Sequence, residues 1–255
     1  ILLRQLLPNG DTVVGWYSSA YKWFNAAQII PSYFTLALYP IISREIEESP
    51  ERARTMYAMS LKLMLLLALP LAAFTHFAAT QLVTIVAGEQ FLPHGAVALQ
   101  IVMWSIPLGW LNSVTNYVLI GLGLERLQPR AFLIAVGFNL IANWLFIPRY
   151  SYVAAAVTTV LSELVLLILF DFFLRQKMRA INWVGLMGKP LMITAVSLLT
   201  IWLGAQLHLI IGLLLGGLVY VAGLFLLRII TPDEWRVVLD ILPEPIAARL
   251  RRFAP

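Results

Sequence analysis

Lys22 places an ammonium group where lipid should exclude one. It lies inside an apolar stretch running from about Val13 to Ile42. Counting helical rise from Val13 puts it roughly 13 Å along the helix, near mid-depth of a ~30 Å hydrocarbon core. A cation at that depth costs at least ~2.5–3.5 kcal/mol on insertion scales, so it is expected to face protein, water or a ligand. Tyr21, Asn25 and Gln28 fall on one side of the same helix, with Lys22 on their flank about 100° from Tyr21. Such a stripe can line a hydrophilic cavity and hold an anion, a phosphate above all. The competing use of Lys22 is an ion pair inside the bundle, for which Glu163 and Asp171 are the intramembrane candidates. Snorkelling is disfavoured, because a lysine head group reaches only ~6 Å and the residue lies deeper than that.

Two asparagine pairs stand at helical i, i+4 spacing, Asn112 with Asn116 and Asn139 with Asn143. Asn112 and Asn116 are accompanied by Ser113, Thr115 and Tyr117, which makes cavity lining and packing equally good expectations. For Asn139 and Asn143 the expected role is hydrogen bonding between helices, worth around 0.6 kcal/mol per contact. Glu163 sits near the middle of an apolar stretch and could carry protons, or stay neutral and hydrogen-bonded. No histidine accompanies it, so a proton relay is the weaker expectation. His76, on an otherwise apolar helix, is expected to be a hydrogen-bonded packing residue. Glu89, His94 and His208 have no metal-ligand spacing, and no phosphate-cradling glycine loop or Ser/His/Asp set stands in a plausible setting. The expectation is therefore a protein that is not an enzyme, with no catalytic residues, no metal and no cofactor.

The elements that position these residues follow from composition. The 255 residues are 60 % hydrophobic and 12 % charged, with a mean hydropathy of +0.84, whereas about a quarter of an ordinary soluble domain is charged. The apolar runs lack strict period-2 alternation, which argues against a transmembrane barrel. The expected fold class is all-α, a polytopic transmembrane helix bundle. Seven spans are readable, at about 13–42, 61–87, 96–120, 131–147, 152–174, 190–206 and 209–229. Pro31, Pro70 and Pro107 lie inside spans and should kink them. Segment 44–60, with charges of both signs, is expected to form a short surface helix. The tail from Thr231 to Pro255 reads as an amphipathic segment lying on the membrane.

Loop charges set the orientation. Of eighteen basic residues, fifteen fall in alternate connections or after the last span. Only Arg4 and Arg149 fall on the opposite side, and Lys22 lies between. The positive-inside rule then places the start of the chain outside and its C-terminus in the cytoplasm. The net charge of +5 reflects basic loops facing anionic lipid rather than a nucleic-acid footprint. The absence of cysteine excludes disulfides without assigning a compartment. The chain opens Ile-Leu-Leu-Arg, with no initiator methionine or signal peptide, and is expected to be part of a longer protein. The extracytoplasmic loops, Gly88–Gly95, Pro148–Ser151 and Gln206–His208, are too short to carry a catalytic domain. A membrane glycan polymerase or ligase is disfavoured on that ground.

Three motifs, in order, resemble a known family. Tyr17-Ser-Ser-Ala-Tyr-Lys22, followed by Pro31 and Leu38-Tyr-Pro-Ile-Ile-Ser-Arg44, is similar to the "YxxAYR…P…LxPxLSR" helix of oligosaccharide-lipid flippases. These belong to the multidrug/oligosaccharidyl-lipid/polysaccharide exporter superfamily. Leu111-Asn-Ser through Leu119-Ile-Gly-Leu-Gly-Leu-Glu-Arg126 resembles their "LNSxxxxxLxAxGRER" segment. Asn139-Leu-Ile-Ala-Asn143-Trp-Leu-Phe-Ile-Pro148-Arg-Tyr150, with Ala154-Ala-Ala and Glu163, resembles "NxxLNxxLIPxYGxxGAAxAT…E". One departure is that Ser151-Tyr-Val-Ala154 stands where the family has two glycines. The resemblance implies a second lobe of a two-lobed flippase over residues 1–178, two additional helices over 179–230 and a cytoplasmic tail over 231–255. It further implies alternating access, with a polyprenyl-diphosphate-linked oligosaccharide repeat unit carried across the bacterial cytoplasmic membrane for surface polysaccharide biosynthesis. Lys22 would contact the diphosphate, and Tyr21, Asn25, Gln28, Asn112 and Asn116 would line the cavity. Glu163 would supply a possible ion pair or coupling group. The expected partners are that glycan lipid and membrane lipids, with glycan polymerase machinery as a candidate and the protein itself a monomer. The rival within the superfamily is an ion-coupled drug or cation exporter.

Overall fold

The computed structural model describes residues 2–229, and the expected amphipathic tail lies outside them. Within them the chain is helical: α1 (Leu2–Leu6), α2 (Gly10–Ala27), α3 (Ile29–Glu48), α4 (Pro50–Ala87), α5 (His94–Val102), α6 (Ser105–Gly121), α7 (Gln128–Leu174), α8 (Trp183–Ala205) and α9 (Leu209–Leu226). Single 3-10 turns at Glu89–Phe91 and Glu125–Leu127 join α4 to α5 and α6 to α7. Six helical stretches are long and apolar enough to cross a membrane. One of them, containing α7, doubles back on itself. Ser151 inside α7 has φ 51° and ψ −136°, and Asn139 Nδ2 donates to Ser162 Oγ at 2.9 Å. In a straight helix those residues would stand ~34 Å apart. The α7 arms 128–150 and 152–174 are thus antiparallel, so this one stretch contains two of the spans read from the sequence.

Two of the three prolines expected to kink spans coincide with helix breaks, whereas Pro70 lies within the unbroken α4. Pro31 has none to give the carbonyl of Ala27, and the break between α2 and α3 falls at Gln28, whose own N–H turns to the Asn25 carbonyl. Pro107 likewise cannot serve Met103. The expected single span 96–120 is therefore two helices, α5 and α6, and the Met103 carbonyl takes the Ile106 N–H at 3.1 Å instead. The expected surface helix at 44–60 is not separate. Residues up to Glu48 continue α3, Ser49 is the only interruption, and Pro50 at the first turn starts the 38-residue α4, a position where proline costs no hydrogen bond.

Contacts between distant loops fix which connections share an end. Arg54 donates to the carbonyls of Arg179 and Ala180, Lys177 to that of Leu122 at 2.6 Å, and Lys189 to that of Leu227 at 3.1 Å. Asp171 is held there by Arg175 at 2.6 Å and by the Trp183 indole N–H at 3.0 Å. These basic connections thus form one end of the bundle. At the far end, Trp16 stacks on His94 with ring centroids 3.9 Å apart, and His94 Nδ1 lies 3.0 Å from the Tyr152 hydroxyl. That alternation is the one the loop charges require.

The interior lies along α4, α5 and α6, where Trp110, Tyr57, Phe170, Leu38 and Ile42 are fully buried. Tyr57 donates to Thr115 Oγ1 at 2.9 Å, since the Thr115 proton is committed to the Leu111 carbonyl. The pair α8–α9 packs on the side of α4, with the Tyr220 hydroxyl donating to the Leu66 carbonyl at 2.9 Å. A buried hydroxyl needs such a partner.

Candidate functional site

On α2, Tyr17, Ser18, Tyr21, Lys22 and Asn25 recur at i, i+1, i+4, i+5 and i+8, one continuous face of a helix. On the second arm of α7, Thr159, Ser162 and Glu163 form a matching face at i, i+3 and i+4. The first arm adds Asn139 and Asn143. These polar faces meet around an open-sided cavity of about 880 Å³, closed toward the far end by Leu2, Leu3 and Ile147. A buried cluster of Leu3, Val13, Ile147, Ala154 and Ala155 backs that apolar rim.

Hydrogen bonds hold the walls. The Thr159 hydroxyl donates to the Ala155 carbonyl at 2.9 Å and therefore accepts from Tyr17, whose oxygen is 3.0 Å away. The Tyr21 hydroxyl lies 3.3 Å from that of Tyr17. Asn139 Nδ2 donates across the α7 arms to Ser162 Oγ, while within each arm Asn143 Nδ2 donates to Asn139 Oδ1 at 2.9 Å and Ser162 to the Thr158 carbonyl at 2.8 Å. Asn139 and Asn143 thus do the packing work expected of them and also line the cavity.

Lys22 differs from both sequence expectations of a pair. Its ammonium donates to the Val86 carbonyl at 3.4 Å, and among the described residues it makes no ion pair with Glu163 or Asp171. Val86 is in the last turn of α4, where carbonyls lack helical partners and carry the negative end of the helix dipole. One residue on, the Trp23 indole donates to the Leu82 carbonyl at 2.9 Å. The lysine side chain therefore runs outward from its Cα toward the far end. That is the snorkelling which depth counting disfavoured, and it works because the end of α4 brings an acceptor within reach.

Glu163 takes two roles on one residue. Asn112 Nδ2 donates to its Oε2 at 2.7 Å and to its main-chain carbonyl at 2.9 Å. Gly109 stands opposite, where a Cβ would make ordinary contact with Glu163 Oε2 at 3.5 Å and Gln28 Nε2 at 3.8 Å.

The cavity brings together Tyr21, Lys22, Asn25 and Glu163 of the residues singled out from the sequence. It does not include Gln28, Asn112 or Asn116. Asn112 is buried in the seam between α6 and α7, and the Asn116 main-chain carbonyl accepts from Gln128 Nε2 at 2.9 Å. Gln28 sits at the α2–α3 break beside Gly109. Sequence reasoning missed Tyr17, Ser18, Thr159 and Ser162. The signal that finds them is the helical period extended one turn from Tyr21 and from Glu163.

The sequence profile of the MatE family matches residues 2–145, more than half of the chain. This chain belongs to the MatE family. That family lies within the multidrug/oligosaccharidyl-lipid/polysaccharide exporter superfamily, as the motifs implied. An uncharacterized membrane protein of Methanocaldococcus jannaschii, MJ1068, is 28 % identical over 152 residues, which are 58 % of this chain and 30 % of that protein. Among solved structures, the lipid II flippase MurJ in its inward closed conformation shares the fold, with a TM-score of 0.69 at 15 % identity. The likeness covers 85 % of this chain and 47 % of that one, so the chain spans less than half the length of either. For this MatE chain the cavity lies mostly within the matched region, while Thr159, Ser162 and Glu163 come from beyond it.

Proposed function

We propose that this chain is the second lobe of a flippase that moves polyprenyl-diphosphate-linked oligosaccharide repeat units across the bacterial cytoplasmic membrane, with its C-terminus in the cytoplasm. The observation that carries this reading is the ammonium of Lys22, which lies on a polar cavity and, among the described residues, is tethered only to the neutral Val86 carbonyl. Its charge is therefore available to a phosphate, for which a lysine acts as a point charge. Hydroxyl and amide groups of Tyr17, Tyr21, Asn25, Asn139, Asn143 and Ser162 suit the hydroxyls of a sugar. The apolar rim and lipid-facing helices leave room for a polyprenyl tail in the bilayer. The family match and the fold shared with a lipid II flippase support transport of a lipid-linked glycan as the chemistry.

Lys22→Ala is expected to abolish glycan export while leaving membrane insertion intact, and Lys22→Arg to retain most of it. Normal surface polysaccharide in the alanine variant would sink the reading. The presence of Glu163, Tyr17 and Tyr21 on the same cavity favours one rival, an exporter of organic cations. For that rival, Lys22→Ala should leave export unchanged or raise it, because the removed charge repels the cargo.

A further inference from the structure

Two opposite charges share the cavity without touching. Lys22 spends one of its three N–H donors on a carbonyl, and among the described residues neither it nor Glu163 makes an ion pair. Glu163 Oε2 is occupied by Asn112, whereas Oε1 has no hydrogen-bond partner among the described residues, and the residue lines the cavity. The levels of the two groups follow from the helices. Tyr21 is level with Thr159, Glu163 lies one turn beyond Thr159 toward the basic end, and the Lys22 head group runs the other way to Val86. The two poles are thus roughly 10 Å apart along the helix axes. The wall between the poles is neutral: Tyr17, Thr159, Ser162, Asn139 and Asn143.

We infer that the cavity selects a ligand with two poles, an anionic group at Lys22 and a primary ammonium at Glu163, which on a glycan lipid means an amino sugar with a free amine near the diphosphate. This rests on the reading of Lys22 as the anion site and adds the second pole. Neutral acceptors would suffice for hydroxyls and acetamides. A carboxylate with one open oxygen adds a charge-assisted hydrogen bond that only a cationic donor exploits fully. Asn112 fixes that carboxylate through both its Oε2 and its main-chain carbonyl, so the open oxygen is held in one direction.

The test uses the full chain in nanodiscs and two short-chain polyprenyl-diphosphate disaccharides, one with a free amine and one N-acetylated, otherwise identical. Binding is read by native mass spectrometry or by quenching of the intrinsic tryptophan fluorescence. The wild type should bind the amine form about tenfold more tightly. Glu163→Gln keeps an oxygen for Asn112 and removes the charge; it should erase the preference while holding affinity for the acetylated form within about twofold. Lys22→Ala should weaken both ligands. Equal binding of the two by the wild type, or a preference that survives in Glu163→Gln, overturns the ammonium pole and leaves the anion site standing. Failure to bind either ligand overturns both. A gain in acetylated-ligand affinity with added sodium, lost in Glu163→Gln, shows an inorganic cation at the second pole and overturns the amine assignment.

Discussion

The arms of α7 and the pair α8–α9 are both antiparallel helical hairpins in the same bundle, and they are held together by different forces. Across α7 the contacts are polar: Asn139 bonds Ser162 between the arms, and Asn143 to Asn139 and Ser162 to Thr158 extend that link within each arm. Across α8–α9 they are steric. A Cβ built at Gly204 would stand 2.6 Å from the Gly212 Cα, and one built at Gly212 would stand 2.6 Å from the Ile201 carbonyl oxygen. Only hydrogen atoms fit there, so the two backbones touch, as small-xxx-small seams allow in membranes. Side-chain bonds supplement the seam: Ser197 Oγ to the Gly216 carbonyl at 2.8 Å and, at the end of α9, Lys189 Nζ to the Leu227 carbonyl. The turns differ as well. The α8–α9 turn is relaxed, with His208 capping the Ile210 N–H. The α7 turn forces Ser151 to φ 51°, ψ −136°, a conformation that glycine takes readily and other residues resist. Polar seams leave room beside them and produce a wall of hydrogen-bonding groups. A glycine seam leaves no room, and its hairpin serves as a closed unit against α4.

Gly212→Leu attacks the steric seam directly and should have the largest effect. Backbone atoms on the partner cannot move aside, so a loss of about 3 kcal/mol or more is expected, read as a lowered midpoint in thermal or steric-trap unfolding. An unchanged midpoint would show that the seam is not what holds α8 to α9. Ser151→Gly works in the opposite sense on the other hairpin. Relief of the turn conformation should stabilise the chain by about 1 kcal/mol; a lower stability would mean that the serine side chain contributes something the backbone argument omits. Asn139→Ala removes one polar link across α7 and should cost only around 0.6 kcal/mol, while exposing an unpaired Asn143 amide to the cavity. A cost comparable to that of Gly212→Leu would erase the distinction between the two hairpins.

Much of this was legible in the sequence for physical reasons that also mark where legibility ended. Span number and alternation follow from apolar length and loop charge, because lipid enforces both. The Pro31 break is announced by its missing N–H, although the bend itself falls three residues earlier at Gln28. Segment 44–60 misled because charges of both signs suit a surface helix and the exposed ends of long helices equally well. The Gly-to-Ser change at position 151 was visible as a departure, and the structure shows the backbone conformation that glycine would have eased. The cavity was only half legible. Which face of α6 meets α7 is set by packing against Trp110 and the core, so Asn112 is buried in the seam and Asn116 does not line the cavity. Thr159 and Ser162 lie on the helical period of Glu163, but that this face meets α2 and the first arm of α7 is set by tertiary packing. The outward course of the Lys22 side chain depends on where α4 happens to end.

The Lys22–Val86 contact also bears on kinetics. An anion reaching this lysine would displace a neutral carbonyl, at a cost of about 1 kcal/mol, rather than prise apart a buried ion pair at roughly 3–5 kcal/mol. Capture would then be quick, and sensitive to ionic strength because the uncompensated charge projects its field to the approaching ligand. The same displacement would remove one bond from α2 to the end of α4, leaving that of the Trp23 indole to the Leu82 carbonyl to hold the helices in place.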